Sequence, residues 1–255
     1  MTILCYHAVD ADWESPLAVT PAEFAAHVDW LARNRLVLPL AEAVTRLDNQ
    51  CRLPSPYVAI TFDDGFASVY EHALPVLRQH GLPATVFVVA GTLAPGGREV
   101  DWVDTPPSWR LRTLDVGSIR ELRDNGVTIG SHSFGHDVLP DLDAEVCEVD
   151  LRESRQLLED LVEGPVPFLA YPRGRHSRVV RTAAERAGYT HAFTLPEARE
   201  AIGPFAVPRV GIYPGNGTRS LWLKTRPWYL AARTSPAYPA LRRLAGRPPT
   251  TARVG

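Results

Sequence analysis

The sequence predicts an α/β fold of parallel strands joined by helical crossovers, and three observations carry that prediction. Short β-branched and aromatic runs such as Val58–Phe62 and Ala84–Ala90 alternate with longer stretches at helical spacing. The helical stretches close on glycine, as at Gly81 and Gly188. Two of the strands end abruptly in chemically active residues, Asp63-Asp64-Gly65 and Ser131-His132, which is where α/β folds place their chemistry.

In chain order, Thr2–Tyr6 reads as a first strand ending at His7. Pro21–Asn34 reads as an amphipathic helix with Thr20 as N-cap and Phe24, Val28 and Leu31 as its core stripe; His27 is read as a surface or edge residue. A strand at Leu36–Leu38 and a helix at Pro39–Leu47 precede the Val58–Phe62 strand, and Phe66–His80 is predicted as one helix. Thr92–Ser108, with its Pro and Gly elements, interrupts the rhythm as an insertion loop near the site. Its Trp102, and Trp109 just beyond, either stack on a sugar ring or pin the loop. Val116–Asn125 and Asp143–Glu163 read as helices, the second burying Val146, Val149, Leu157, Leu158 and Leu161. Phe168–Tyr171, Tyr189–Thr194 and Val207–Tyr213 read as strands, with a helix at Arg178–Ala187.

A chain of 255 residues with 45% hydrophobic content suffices for one domain with a large core. Its net charge of −2 implies no general attraction to nucleic acid or anionic membrane. Three scattered cysteines make neither a disulfide framework nor a CxxC metal site, and Cys5 and Cys51 read as buried thiols. No run approaches a membrane span and no export signal opens the chain, so a cytoplasmic location is expected.

Neighbouring strand residues point to opposite faces, so Asp63 and Asp64 serve one site only where the strand breaks up, and Gly65 permits that break. His132 and His136 lie four residues apart, a spacing that on one helical turn puts both imidazoles on the same face. With a strand-end acid they suggest a two-His, one-carboxylate metal site, leaving the other Asp free as base. A solvated Asp-Asp-Gly turn and a pair of surface histidines are the alternatives.

Thr61-Phe62-Asp63-Asp64-Gly65, then Ser131-His132-Ser133-Phe134-Gly135-His136, then Phe168–His176, resemble in order and spacing the first three motifs of the polysaccharide deacetylase family with NodB homology. The resemblance covers most of residues 1–215 and implies a distorted (β/α)7-type barrel in a single domain. It implies Asp63 as catalytic base, and Asp64, His132 and His136 as ligands of a divalent metal. Zinc is favoured, and cobalt, nickel or iron would also fit. The backbone N–H of Arg173 takes the position of the family's oxyanion donor, and Tyr171, Pro172 and Trp102 are expected to contact substrate.

The chain departs from the family pattern twice. Ala170 stands where the family has an Arg that pairs with the catalytic Asp, with Arg173 and Arg175 displaced, and no histidine follows His191 to serve as acid. Ile3-Leu4-Cys5-Tyr6-His7 resembles the N-terminal element of the circularly permuted poly-N-acetylglucosamine deacetylase branch, which implies His7 as general acid. His176 and His191 are the alternatives. The resemblance implies metal-dependent removal of N-acetyl groups from an N-acetylated amino sugar; the other readings are an amidohydrolase on a small C–N substrate and an inactive carbohydrate-binding module. Residues 215–255 read as a basic C-terminal extension beyond a barrel of residues 1–214. Gly246–Gly255 is expected to be disordered, and contact with an anionic partner is an alternative to a plain extension.

Overall fold

The computed structural model describes residues 1–49 and 56–238. The expectations for Cys51 and for Gly246–Gly255 lie outside the described residues. The strands are β1 (Thr2–Tyr6), β2 (Ala8–Val9), β3 (Ala18–Val19), β4 (Leu36–Val37), β5 (Tyr57–Phe62), β6 (Thr85–Val88), β7 (Thr128–Ser131), β8 (Phe168–Ala170), β9 (His191–Thr194), β10 (Val207–Pro208) and β11 (Val210–Gly211). The helices are α1 (Pro21–Asn34), α2 (Leu40–Asn49), α3 (Leu74–His80), α4 (Val116–Asp124), α5 (Ala144–Val162), α6 (Arg178–Arg186), α7 (Thr218–Lys224) and α8 (Tyr229–Arg233). No helix among the described residues is long and apolar enough to cross a membrane.

The main sheet runs β10-β9-β8-β7-β6-β5-β1-β11 with parallel pairings. β10 and β11 lie on opposite edges of that order, yet only Arg209 separates them in the chain. The single strand expected at Val207–Tyr213 is therefore a seam: its first half pairs with β9 and its second half with β1, which nearly closes the sheet into a (β/α)7-type barrel. Near-closure pairs most of the sheet's edges and buries most of the residues of the strands along that path, while β4, off it, leaves Leu36 exposed.

Alternation sorts the strand residues into two layers. Leu4, Tyr6, Val58, Ile60, Phe62, Val86 and Val88 face outward and pack under residues of α1, α3, α4 and α5. Ile3, Ala59, Phe87, Phe168, Phe193 and Val207 form an inner cluster, to which α2 adds Leu40, Ala43 and Val44. The odd-numbered positions of β1 and β5 thus point into the barrel.

Helix α1 starts as predicted, with Thr20 and Glu23 forming a capping box and Pro21 in the first turn. Its His27, expected at the surface, is buried between the Tyr6 hydroxyl and the Asn216 carbonyl, where its ring joins the start of the C-terminal segment to the barrel. The helix predicted at Phe66–His80 starts late and is interrupted. The Ala67 N–H bonds to the Arg112 carbonyl, and Val69–Ala73 winds as a π-helix before α3. Pro75 in the first turn of α3 has no N–H and crowds the preceding turn, which accounts for the wider winding.

Helix α5 buries Cys147, Leu151, Ser154, Leu158 and Val162. Of the residues expected on that side, Leu158 is buried and Leu157 packs at its edge, but Val146 and Val149 are exposed. The stripe is rotated because it follows the 147-151-154-158-162 spacing, which admits a thiol and a hydroxyl where the apolar count favoured valines. Beyond β11, α7 inserts Leu221 into the core, and Tyr229 and Leu230 pack against it. Trp222 and Trp228 remain exposed.

Candidate active site

Register brings the site together. Tyr6 pairs with Phe62, so the next residues, His7 and Asp63, emerge side by side at the carboxyl ends of β1 and β5. Cys5, Thr61 and Asp63 share the inward parity of Ile3 and Ala59. Asp64, one residue on, would point to the helix layer if the strand continued. Its backbone instead takes a left-handed conformation at φ 69°, followed by Gly65 at φ 65°, and its carboxylate comes to the same pocket. A side chain at Gly65 would also crowd the Val88 backbone at 3.3 Å. Ser133 (φ 64°), His136 (φ 58°) and Arg173 (φ 57°) are strained in the same way, so four of the five non-glycine residues with positive φ among the described residues surround this site.

The Asp64 Oδ1 atom lies 3.5 Å from His132 Nε2 and 3.3 Å from His136 Nε2. His132 is aimed by its other nitrogen, which sits 2.8 Å from the Ala170 carbonyl. The loop between the two histidines is held by Asp150 of α5, whose carboxylate accepts the N–H groups of Phe134 and Gly135 at 3.0 Å each. The Ser133 hydroxyl accepts the His136 N–H at 2.9 Å. Trp102 covers His136, its ring stacked at 4.9 Å and 23°.

Arg209, at the seam between β10 and β11, is a functional residue that sequence reasoning missed. Its two terminal nitrogens donate to the two oxygens of Asp63 at 2.6 and 2.7 Å, and one also reaches the Thr61 hydroxyl. The Arg partner of Asp63, absent from the Ala170 position, is thus supplied by the last strand. A charged residue within the apolar run Val207-Pro208-Arg209-Val210-Gly211-Ile212 was the available signal, since a buried guanidinium requires a carboxylate. The Cys5 thiol donates to Asp63 Oδ2 at 3.3 Å.

The charges follow from these contacts. Burial alone would raise Asp63, but Arg209 and His132 outweigh it and bring its pKa to about 2. Burial likewise opposes ionisation of Asp64, and hydrogen bonds from His132 and His136 overcome it, holding the carboxyl well below its usual range. Burial pushes His7 down against the pull of Asp64 and Asp63. The His7 Nδ1 atom is buried without a protein partner.

Among the described residues, two groups of ligand atoms have members that all lie within 4.8 Å of one another: Asp64, His132 and His136, and Cys5, His7 and Asp63. In the second, both Asp63 oxygens already serve Arg209, whose positive charge disfavours a cation. The first offers two imidazoles and a carboxylate with no competing cation bonded to them, a donor set that fits a divalent metal.

The other predicted residues are placed as follows. Arg173 donates through its guanidinium to the Trp102 carbonyl at 3.2 Å. Tyr171 is fully buried, its hydroxyl bonded to the Phe205 carbonyl and its ring stacked on His176, so it packs the barrel wall; Pro172 is buried beside it. Trp109 is exposed. Both ring nitrogens of His176 are engaged, by Glu200 and Arg181, and those of His191 by Asp48 and Thr190. Neither histidine contacts the acids that His7 faces.

Residues 51–192 match the family described as polysaccharide deacetylase. The Bacillus subtilis protein YxkH, named as a polysaccharide deacetylase, is 28% identical over 218 residues, covering 84% of this chain and 72% of that protein. A poly-β-1,6-N-acetyl-D-glucosamine N-deacetylase of Staphylococcus epidermidis is 25% identical over 207 residues, covering 76% of this chain and 67% of that protein. Among solved structures, the Streptococcus pyogenes deacetylase PplD superposes with a TM-score of 0.75 at 23% identity, covering 89% of this chain and 98% of that one. IcaB from Ammonifex degensii superposes with a TM-score of 0.73 at 24% identity, covering 88% and 97%. These two likenesses establish the fold. His7 and Arg209 both lie outside the matched segment, one on each side of it.

Proposed function

Since the chain belongs to the polysaccharide deacetylase family, we propose that it hydrolyses the N-acetyl group of an N-acetylglucosamine-type glycan, glycolipid or glycoside, releasing acetate and a free amine. The observation that carries this reading is the pairing of a two-His, one-carboxylate group with a separate carboxylate held ionised by Arg209. Asp64, His132 and His136 would hold a divalent cation, with zinc the best fit to two imidazoles and a carboxylate. Such an ion supplies Lewis-acid activation of water and of the acetamide carbonyl.

The remaining steps belong to the chain itself. Asp63, ionised across the working pH range and fixed bidentately, accepts the proton of the attacking water. The backbone N–H of Arg173 donates to the carbonyl oxygen as it becomes anionic. His7, beside Asp63 at the end of β1 and free at Nδ1, protonates the departing nitrogen. Trp102 lies over His136 and shields that side of the site from water.

Acetate release from N-acetylglucosamine oligomers, measured before and after chelation and zinc restoration, tests the proposal. Release that needs restored metal supports it. Metal-dependent hydrolysis of small amides with none from acetylated sugars would overturn the substrate class.

A further inference from the structure

The C-terminal segment carries a surface that the chemistry of the barrel does not use. In α7, Leu221 and Thr225 are buried against the barrel, one turn apart. The helical repeat then turns Arg219, Trp222 and Leu223 away from the core, with Arg219 three and four residues from the two apolar side chains. Trp222 is 46% exposed, Leu223 37% and Trp228, in the turn before α8, 54%. The Arg226 guanidinium lies 3.9 Å from the centroid of the Trp222 ring.

Charge is segregated along the sequence as well. None of the chain's 29 acidic residues falls within residues 201–255; with Arg209 neutralised by Asp63 and Lys224 held inside against Gly211 and Asn216, the remaining basic residues there are Arg219, Arg226, Arg233, Arg242, Arg243, Arg247 and Arg253. A net charge of −2 for the whole chain therefore conceals a strongly basic C-terminal part. An indole, a leucine and arginines on one helical face, with a second exposed indole six residues on, suit the boundary of a bilayer, where rings sit at headgroup level and cations meet lipid phosphate. A glycan platform needs an open indole face, and Arg226 already covers one face of Trp222.

We propose that the face formed by Arg219, Trp222, Leu223 and Arg226, together with the exposed Trp228, docks the protein on an anionic lipid surface. The indoles and Leu223 enter the interfacial region, and the arginines bind lipid phosphates around them. Docking of this kind is peripheral and salt-sensitive, because charge attraction at a membrane decays within a Debye length.

Sedimentation of the full chain with vesicles tests the proposal and needs no deacetylase activity. We expect binding to vesicles containing phosphatidylglycerol, weak binding to pure phosphatidylcholine, and loss of binding at high salt. Trp222→Ala with Trp228→Ala, and separately Arg219→Glu with Arg226→Glu, should each weaken binding on the order of tenfold. Both variants should keep the wild-type circular dichroism spectrum and melting temperature, which separates lost docking from lost folding. No binding to anionic vesicles, equal binding to neutral ones, or binding unchanged in either variant would overturn the proposal. Retention by a soluble anionic polysaccharide without vesicle binding would overturn it in favour of a glycan partner.

Discussion

Arg209 and Asp63 form a bidentate ion pair across the seam of the barrel, with both carboxylate oxygens held at 2.6 and 2.7 Å and both residues buried. The pair ties the strand that closes the sheet to the end of the β5 strand, so one contact supports both the closure and the ionised state of Asp63. Removing one partner from a buried pair leaves the other charge uncompensated, at a cost of about 3–5 kcal/mol. Arg209→Met should lower the unfolding free energy by that order and abolish turnover. Arg209→Lys should not restore activity, because an ammonium cannot reproduce the two parallel bonds. Wild-type turnover in Arg209→Lys would show that charge alone suffices.

The two adjacent acids should separate cleanly by metal content. Asp63→Asn is expected to keep a bound divalent metal and lose roughly 10²–10⁴-fold in turnover, the usual worth of a general base. Asp64→Asn should lose the metal as well, because Asp64 is the carboxylate within reach of both imidazoles. Elemental analysis of the two purified variants checks this, and the reverse pattern would exchange their roles.

His7 acts, on this reading, at the leaving nitrogen. His7→Ala should retain metal, lose amide turnover and lose much less rate on an ester, whose leaving alkoxide needs less help from a proton donor. Parallel rate measurements on an amide and its ester analogue decide the point; equal losses on both would make His7 a structural residue.

Asp150 touches none of the three ligand side chains, yet it anchors the backbone between two of them. Asp150→Leu should reduce metal affinity by about 10–100-fold while leaving the barrel folded, as loss of outer support at metal sites does. Competition with a chelator of known affinity measures the shift, and an unchanged affinity would mean that the loop holds its shape alone.

Lys224 is held against the Gly211 carbonyl and the Asn216 side chain, and burial, reinforced by Arg233, lowers its pKa from 10.5 to about 7. Between those values the unfolded chain keeps a proton that the folded chain has released, so this group makes stability rise with pH through the window. Below about 7 both states hold the proton and the cost of burying the ammonium is fully present. Lys224→Met should flatten that rise. Urea midpoints measured across the window in both proteins give the difference, and parallel curves would refute the assignment.

The strand ends at Asp63-Asp64-Gly65 and Ser131-His132, the capped start of α1 and the parallel α/β class were legible in the sequence, because each depends on residues close together in the chain. A glycine beside two acids carries its meaning locally, whereas the imidazoles four residues apart meet not on a helical turn but through a loop with left-handed Ser133 and His136 that Asp150 of α5 holds. The helix break before α3 was legible only in part, since Pro75 is visible but the pairing of Ala67 with Arg112 is not. What only the tertiary structure decided was pairing across the closed sheet. Arg209 lies 146 residues from Asp63, and the two meet because the last strand hydrogen-bonds to β9 on one side and β1 on the other. The burial of His27 against Asn216, 189 residues away, has the same origin. Alternation along a strand tells which residues face inward, but which inward-facing residues become neighbours is set by strand order and register, and those arise from contacts made after the chain has folded back on itself.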